Sequence, residues 1–339
     1  MSEGKKIRIG INGLGRIGRS VARAIIEEAY DDIILVAANG AASNDHHAHL
    51  LQYDSVHGRF ANPVTFDDHS IDMGRGKITI THERDPNKLD WKALGVDMVL
   101  ECTGAFNSVE AASVHLARGA SRVLISAPAG DDCPTYVYGV NDGALTKDQH
   151  VISVGSCTTN ALAPVAHVLH SQFGIISGHM TTIHAYTGDQ NLVDGSHKDL
   201  RRARAAAMAM VPTKTGAAKA IGLVIPELAG KLAGTAIRVP TPNVSMVDLT
   251  VLVSSTVTKQ EVNDAFTAAS TRLPKGVLRA DSAPLVSIDY THNNASTTVD
   301  LTATNVVNGT LVRVASWYDN EWGFSCRMLD MARRVALIA

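Results

Sequence analysis

No run of this 339-residue sequence is long and apolar enough to cross a bilayer. None of its four cysteines, Cys102, Cys133, Cys157 and Cys326, stands in CxxC spacing, so neither a zinc ribbon nor a thioredoxin-like redox pair is indicated. The opening MSEGKKIRIGING holds two lysines but leads into a short apolar run, not the hydrophobic stretch of a secretory leader. Free thiols in a cytoplasmic setting are therefore expected. Charge of one sign is also missing. The formal net charge is −2, with 19% charged and 45% hydrophobic residues, which excludes a disordered chain and any global field that would recruit nucleic acid or an anionic membrane. Repeats, low-complexity tracts and an obvious flexible linker are absent too. What remains is a globular chain long enough for about two domains.

The first half alternates. IRIGI, IILVAA, DMVLECT, RVLIS and VISV read as short buried strands, and RIGRSVARAIIEEA and SVEAASVHLARG between them have helical spacing. Such alternation implies a parallel sheet covered on both faces. After about residue 156 the segments GHMTTIHAYTG, AIRVPTPNVSMVDLTVLVSS, STTVDLTATNVV and TLVRVASWYD are longer, partly alternating and rich in Val and Thr. They read as largely antiparallel strands, with Asn308-Gly309 as a hairpin turn. KQEVNDAFTAAST interrupts them with Val262, Phe266 and Ala269 on one helical face, and FSCRMLDMARRVALIA closes the chain as an amphipathic helix.

GINGLGRIGR places Gly13, Gly15 and Gly18 in GxGxxG spacing directly after a strand and at the start of a helix. That pattern supplies a tight turn, close backbone approach to a pyrophosphate and close packing of helix on strand. The helix N-terminus adds unpaired N–H groups for the phosphates. In this fingerprint an acid about 20 residues on bonds the ribose 2′-hydroxyl and repels a 2′-phosphate. Here Gly40 occupies that place and the next acid is Asp45. Either Gly40 is a plain turn residue, or the repulsion is gone and NADP can enter.

Cys157 follows the short strand VISV and opens a helix-like run whose Thr158, Thr159 and Asn160 are good N-cap types. The helix dipole favours a thiolate there, so a depressed thiol pKa is expected. Cys102 reads instead as a small buried hydrophobe, and Cys133 and Cys326 have no supporting pattern. Among 14 histidines, His184, 27 residues on in TTIHAYTG, is the best candidate base. His46, His47 and His49 lack an acid or cysteine ligand set and read as covering a short helix, with no metal expected.

NGLGRIGR, SCTTNALAP, TGAAKAIGLVIPELAGKLAG, RVPTPNVSMVDLT and WYDNEWGFS together resemble the glyceraldehyde-3-phosphate dehydrogenase family, from about Ile7 to the C-terminal helix. The resemblance implies a Rossmann dinucleotide-binding domain over 1–156, with a C-terminal helix over 321–339 packing back onto it. It implies an α+β catalytic domain with an antiparallel or mixed sheet over 157–320, and a cytoplasmic homotetramer. Cys157 is then the nucleophile and His184 the base. The phosphates of a sugar phosphate and of inorganic phosphate are expected at Thr187 and Arg238, and at Ser156, Thr158, Thr215 and Gly216, with Arg202 near both. The cofactor is expected at Asn12, Gly13, Gly15, Arg16, Ile17 and Gly18, and further at Gly40, Arg84, Thr103 and Ser126. Ser196 is expected to add to that site and Asn320 to hold the nicotinamide carboxamide.

The arginines of HKDLRRARAA then belong to a long interface loop, and RNA is not the expected primary ligand. Family members that use NAD usually carry an aspartate at Gly40 and Leu-Pro where this chain has Gly195-Ser196. The resemblance is thus to members that use NADP or both cofactors, although no Lys or Arg lies within ten residues after Gly40. Three departures are minor: Leu14 for a usual Phe, Ala161 for a second cysteine, and Phe324 for a frequent Tyr. Rival readings are an erythrose-4-phosphate dehydrogenase, a non-catalytic RNA- or protein-binding homologue, and a Cys–His hydrolase, for which the glycine turn has no use.

Overall fold

A computed structural model describes residues 6–338. The first five residues, on which part of the expectation of no leader rests, and the last residue of the 321–339 helix lie outside them. The chain divides into two compact units.

The first unit is built on β1 (Ile7–Asn12), α1 (Arg16–Glu27), β2 (Ile33–Asn39) and α2 (Asn44–Gln52). Short strands follow: β3 (Tyr53–Asp54), β4 (Gly58–Arg59), β5 (Thr65–Phe66), β6 (Ser70–Asp72) and β7 (Lys77–Thr81), of which β3 and β4 pair as a separate ribbon. Then come β8 (Met98–Glu101), α3 (Val109–Ala117), β9 (Arg122–Ile125) and β10 (Val151–Ser153). Its main sheet has the order β10-β9-β8-β1-β2-β7-β6-β5, parallel from β10 to β7 and antiparallel beyond. The β8 and β9 runs are buried at every position, the mark of parallel strands covered on both faces. The antiparallel extension through β5 and β6 has no counterpart in the sequence reading, since strands of two or three residues carry no period.

The second unit holds α4 (Cys157–Phe173), β11 (Ile175–Ala185), β12 (Val211–Lys214), α5 (Ala217–Val224), β13 (Leu232–Val239) and β14 (Ser245–Val253). It continues with α6 (Lys259–Arg272), β15 (Leu278–Asp281), β16 (Thr297–Val307) and β17 (Leu311–Tyr318). The sheet order is β12-β13-β11-β14-β17-β16-β15. It is mixed: β11 runs parallel to β13 because the chain crosses over through α5, while β14 returns antiparallel to β11. AIRVPTPNVSMVDLTVLVSS divides into β13 and β14, since Pro240 and Pro242 cannot continue a ladder. On α6 the buried residues are Val262, Phe266 and Ala269, and Thr258 with Glu261 closes a capping box at its start. Asn308 (φ 50°) and Gly309 (φ 73°) form the turn between β16 and β17, both in the left-handed region a type I′ hairpin requires.

The last helix, α7 (Trp322–Ile338), begins in the second unit, and from Ser325 on it belongs to the first. There the Tyr30 hydroxyl donates to Asp330 Oδ1 at 3.0 Å, and Arg333 Nε donates to Asp32 Oδ2 at 2.8 Å. No helix among the described residues is long and apolar enough to cross a membrane.

Candidate active site and dinucleotide groove

In the second unit Cys157 is the first residue of α4. The N-cap is Ser156, one residue before it, whose Oγ accepts from Thr159 N at 3.0 Å. Capping by a short hydroxyl side chain fixes the first turn and leaves the cysteine at the positive helix end. Cys157 Sγ lies 3.6 Å from His184 Nε2, near the end of β11. His184 faces Arg238 in the parallel β11–β13 register, and Arg238 Nη1 reaches both His184 Nδ1 (2.8 Å) and Ala185 O (2.9 Å). His184 Nδ1 is itself 2.7 Å from Ala185 O. The imidazole therefore sits between a thiol on one nitrogen and a guanidinium on the other. This triplet joins residues 27 and 54 positions apart through one parallel strand pair.

The electrostatics correct one expectation. Burial pushes the Cys157 thiol above its ordinary value, although Arg238, the Thr158 hydroxyl and the N–H groups at the helix start pull the other way. Burial, and then the Arg238 charge, bring His184 down to about 3. Desolvation outweighs the helix dipole, and the ligand-free pair is thiol and neutral imidazole. Cys102 differs: burial and then the Glu101 charge push its thiol up to about 12, and Cys133 is pushed up to about 11 by burial and then Asp132. All four cysteines are free.

Tyr318, which nothing local in YDNE marks out, holds this arrangement in place. Its hydroxyl bonds Thr158 Oγ1 (2.9 Å) and Thr182 Oγ1 (2.8 Å), and its ring meets His184 edge-on at 6.0 Å between centroids. Partners more than 130 residues away leave no local signal. Ser245 Oγ accepts from Ala185 N at 3.0 Å and donates to Asn320 Oδ1 at 2.8 Å, which sets the orientation of the Asn320 amide.

The expected anion residues are placed as follows. Thr215 and Gly216 precede α5, and Thr215 Oγ1 accepts from Ala217 N at 3.2 Å. The Ser156 hydroxyl is engaged in the cap and the Thr158 hydroxyl with Tyr318. Thr187 follows β11, half-buried. Arg202 is held by Asp189 and by Thr213 Oγ1 (3.0 Å), which draws it into its own loop. The neighbouring Arg204 pairs with Asp194 at 2.8 Å, so the arginine run is largely offset by acids of the same loop. Ser196 is exposed in that loop.

In the first unit a groove of about 690 Å³ is lined by Asn12, Gly13, Gly15, Gly40, Arg84 and Thr103, with Arg19, His46 and His47 among its other walls. Gly13 has φ +102°, and a Cβ there would come within 2.7 Å of Thr103 N. A Cβ on Gly18 would lie 2.0 Å from Gly13 O, so α1 can approach the turn only without one. The tight turn, the close helix and the exposed helix start make a cradle that fits a dinucleotide pyrophosphate. Arg16, Ile17, Gly18 and Ser126 are not groove walls. Arg16 pairs with Asp54 at 2.5 Å, Ile17 lies in the first turn of α1, and Ser126 follows β9 with its N–H on Glu101 O. Ser196 and Asn320 belong to the second unit.

Beneath this cradle a buried polar chain stands that the sequence did not reveal. Trp91 Nε1 donates to His115 Nδ1 (3.0 Å), and His115 Nε2 meets Glu101 Oε2 (2.9 Å). Glu101 also accepts from Asn12 Nδ2 (2.6 Å) and Thr103 N (2.7 Å). Trp91 and His115 are fully buried. His46, His47 and His49 lie along α2, and no group of three or more His, Cys, Asp or Glu side chains among the described residues gathers as a metal site.

The family profile for the glyceraldehyde 3-phosphate dehydrogenase NAD binding domain matches residues 7–109, and that for its C-terminal domain matches 156–320. The chain belongs to the glyceraldehyde-3-phosphate dehydrogenase family. It is an oxidoreductase of that family, with a Rossmann domain and a catalytic domain. Its relatives include glyceraldehyde-3-phosphate dehydrogenases of Xanthobacter flavus (57% identical, covering 96% of this chain and 97% of the relative) and Cereibacter sphaeroides (55%, with the same coverage). That of Geobacillus stearothermophilus is 51% identical, over 97% of this chain and 98% of its own.

Proposed function

We propose that this chain oxidises glyceraldehyde 3-phosphate and captures inorganic phosphate to give an acyl phosphate, 1,3-bisphosphoglycerate, with Cys157 as nucleophile and His184 as acid and base. The carrying observation is the 3.6 Å approach of Cys157 Sγ to His184 Nε2 with Arg238 on the other side of the ring. The Cys157 proton passes to Nε2, and the sulfur adds to the aldehyde carbon. The imidazolium returns a proton to the carbonyl oxygen, which gives a thiohemiacetal. NAD(P), when bound, supplies the hydride acceptor. As hydride leaves carbon, His184 takes the hydroxyl proton and a thioester remains on Cys157. Phosphate oxygen then attacks the thioester carbon, and the thiolate departs.

Arg238 has a second part in this reading. While the guanidinium donates to His184 Nδ1, the ring proton sits on Nε2, facing sulfur, and Nε2 cannot accept. A substrate phosphate that draws Arg238 away lets the ring proton shift from Nε2 to Nδ1, where it is donated to Ala185 O, and this turns the Nε2 lone pair to the thiol. It also removes a neighbouring positive charge that holds His184 neutral. Thr187 joins Arg238 at the substrate phosphate, and Thr215 with Gly216 at the helix start receives the attacking one.

The first unit serves as dinucleotide domain and the second, whose main span is Ser156–Phe324, as catalytic domain. Both NAD and NADP are accepted, leaning to NADP, since Gly40 presents no repelling carboxylate. A homotetramer is supported by the apolar side chains of the 188–210 loop: Leu192, Val193, Leu200, Met208 and Met210 are each more than 70% exposed. A cytoplasmic setting is supported by four cysteines that form no disulfide.

The test omits phosphate. Enzyme mixed with aldehyde and cofactor then reduces an amount of cofactor stoichiometric with its chains and stops, and added phosphate restores turnover. Continuous reduction without phosphate contradicts the thioester.

A further inference from the structure

Gly40 ends β2, where the fingerprint acid would bind the adenosine ribose, and the structure shows what stands there instead. A Cβ built on Gly40 would lie 2.4 Å from His47 Nε2 and 2.8 Å from His47 Cε1, so the ring fills the space where an acidic side chain would begin. His47 comes from α2, seven residues on, and is 5% exposed. Neither ring nitrogen completes a hydrogen bond among the described residues, although both Gly40 and His47 line the groove. A buried imidazole left without a partner in a ligand groove is a polar group waiting for one. Charged and titratable groups face it from three elements: Arg19 on α1, His82 just after β7, and His46 beside it on α2. Burial is the largest influence on the ring and holds it toward the neutral form; the Gly40 main chain pulls the other way, and these three groups add to burial.

We propose that His47 reads the substituent on the cofactor's ribose 2′ position. As neutral imidazole it accepts from the 2′-hydroxyl of NAD, and with a ring proton turned outward it donates to the 2′-phosphate of NADP. One side chain offering an acceptor and a donor accounts for tolerance of both cofactors. A phosphate dianion favours the imidazolium, so NADP binding draws a proton onto the ring and weakens as pH rises, whereas NAD binding stays level. This rests on the reading of the groove as a dinucleotide site.

The test is calorimetric titration of the full-length, cofactor-stripped protein with NAD and with NADP between about pH 6 and 8, using wild type, His47→Leu and His47→Gln. Losing a charge-assisted bond lowers NADP affinity about tenfold or more in His47→Leu, with a smaller loss for NAD. His47→Gln keeps a donor and an acceptor but does not titrate, so its NADP affinity falls less steeply with pH than that of wild type. The second ionisation of the 2′-phosphate, near pH 6, is common to all three proteins and cancels in the comparison. An unchanged NADP-to-NAD ratio in His47→Leu, equal loss of both cofactors, or a wild-type slope in His47→Gln overturns the role of His47. A wild-type protein that binds neither dinucleotide overturns the groove reading beneath it.

Discussion

Replacing His115 by leucine nearly conserves volume and so isolates the polar chain under the cradle. The change removes the acceptor of the Trp91 N–H and one of the donors to Glu101. Both are sealed from water, with Trp91 0% and Glu101 1% exposed, so no solvent replaces the lost partners. An orphaned buried N–H costs ~1–3 kcal/mol, and a carboxylate that loses one hydrogen bond costs a similar amount or more. Together they come to about 2–6 kcal/mol, which at ~2–4 °C per kcal/mol is a fall of about 10 °C in the Tm of the first unit. Asn12 and Thr103 take their orientation from the same carboxylate, so dinucleotide affinity falls as well. Adding Trp91→Phe removes the orphan, and the double variant is less destabilised than two independent losses would make it. Thermal melts followed by circular dichroism, with cofactor titration of each variant, measure this. A His115→Leu protein melting within about 2 °C of wild type refutes the argument.

Gly18→Ala drives a methyl to 2.0 Å from Gly13 O and forces α1 off the turn, whereas Gly15→Ala meets nothing within 4 Å. The first variant loses about 1–3 kcal/mol and most of its cofactor affinity, and the second stays within about 0.5 kcal/mol of wild type, as read by melts and fluorescence titration. Cys157→Ser lowers kcat by ~10³ or more while cofactor affinity holds; retained turnover in a rate assay sinks the mechanism. His184 binds its proton near pH 3 in the fold and near 6.5 when unfolded, so at low pH the unfolded state takes up more protons. Its contribution is complete above about pH 6.5 and is lost as pH falls toward 3. Melts across that range should show a shallower acid decline in His184→Asn than in wild type.

Much of this was legible in residues close together. The apolar runs of β8 and β9, the glycine turn, the Val262–Phe266–Ala269 face and the Asn308-Gly309 hairpin each carry a period or a conformational demand within a few positions. Cys157 stood out for the same reason, at a strand–helix junction. What escaped depends on long-range contact. His184 and Arg238 meet through strand register across 54 residues, and Tyr318 meets Thr158 and Thr182 across more than 130. The thiol departs from expectation because a helix dipole can be read from local sequence while burial cannot. Gly40 was legible as an absence, and only the fold shows His47 in its place.

The most direct test of the central claim is the initial rate at which the purified protein reduces NAD, and separately NADP, with glyceraldehyde 3-phosphate and inorganic phosphate. The account predicts reduction with both cofactors that depends on phosphate and a higher kcat/KM for NADP. No phosphate-dependent reduction of either cofactor would contradict it.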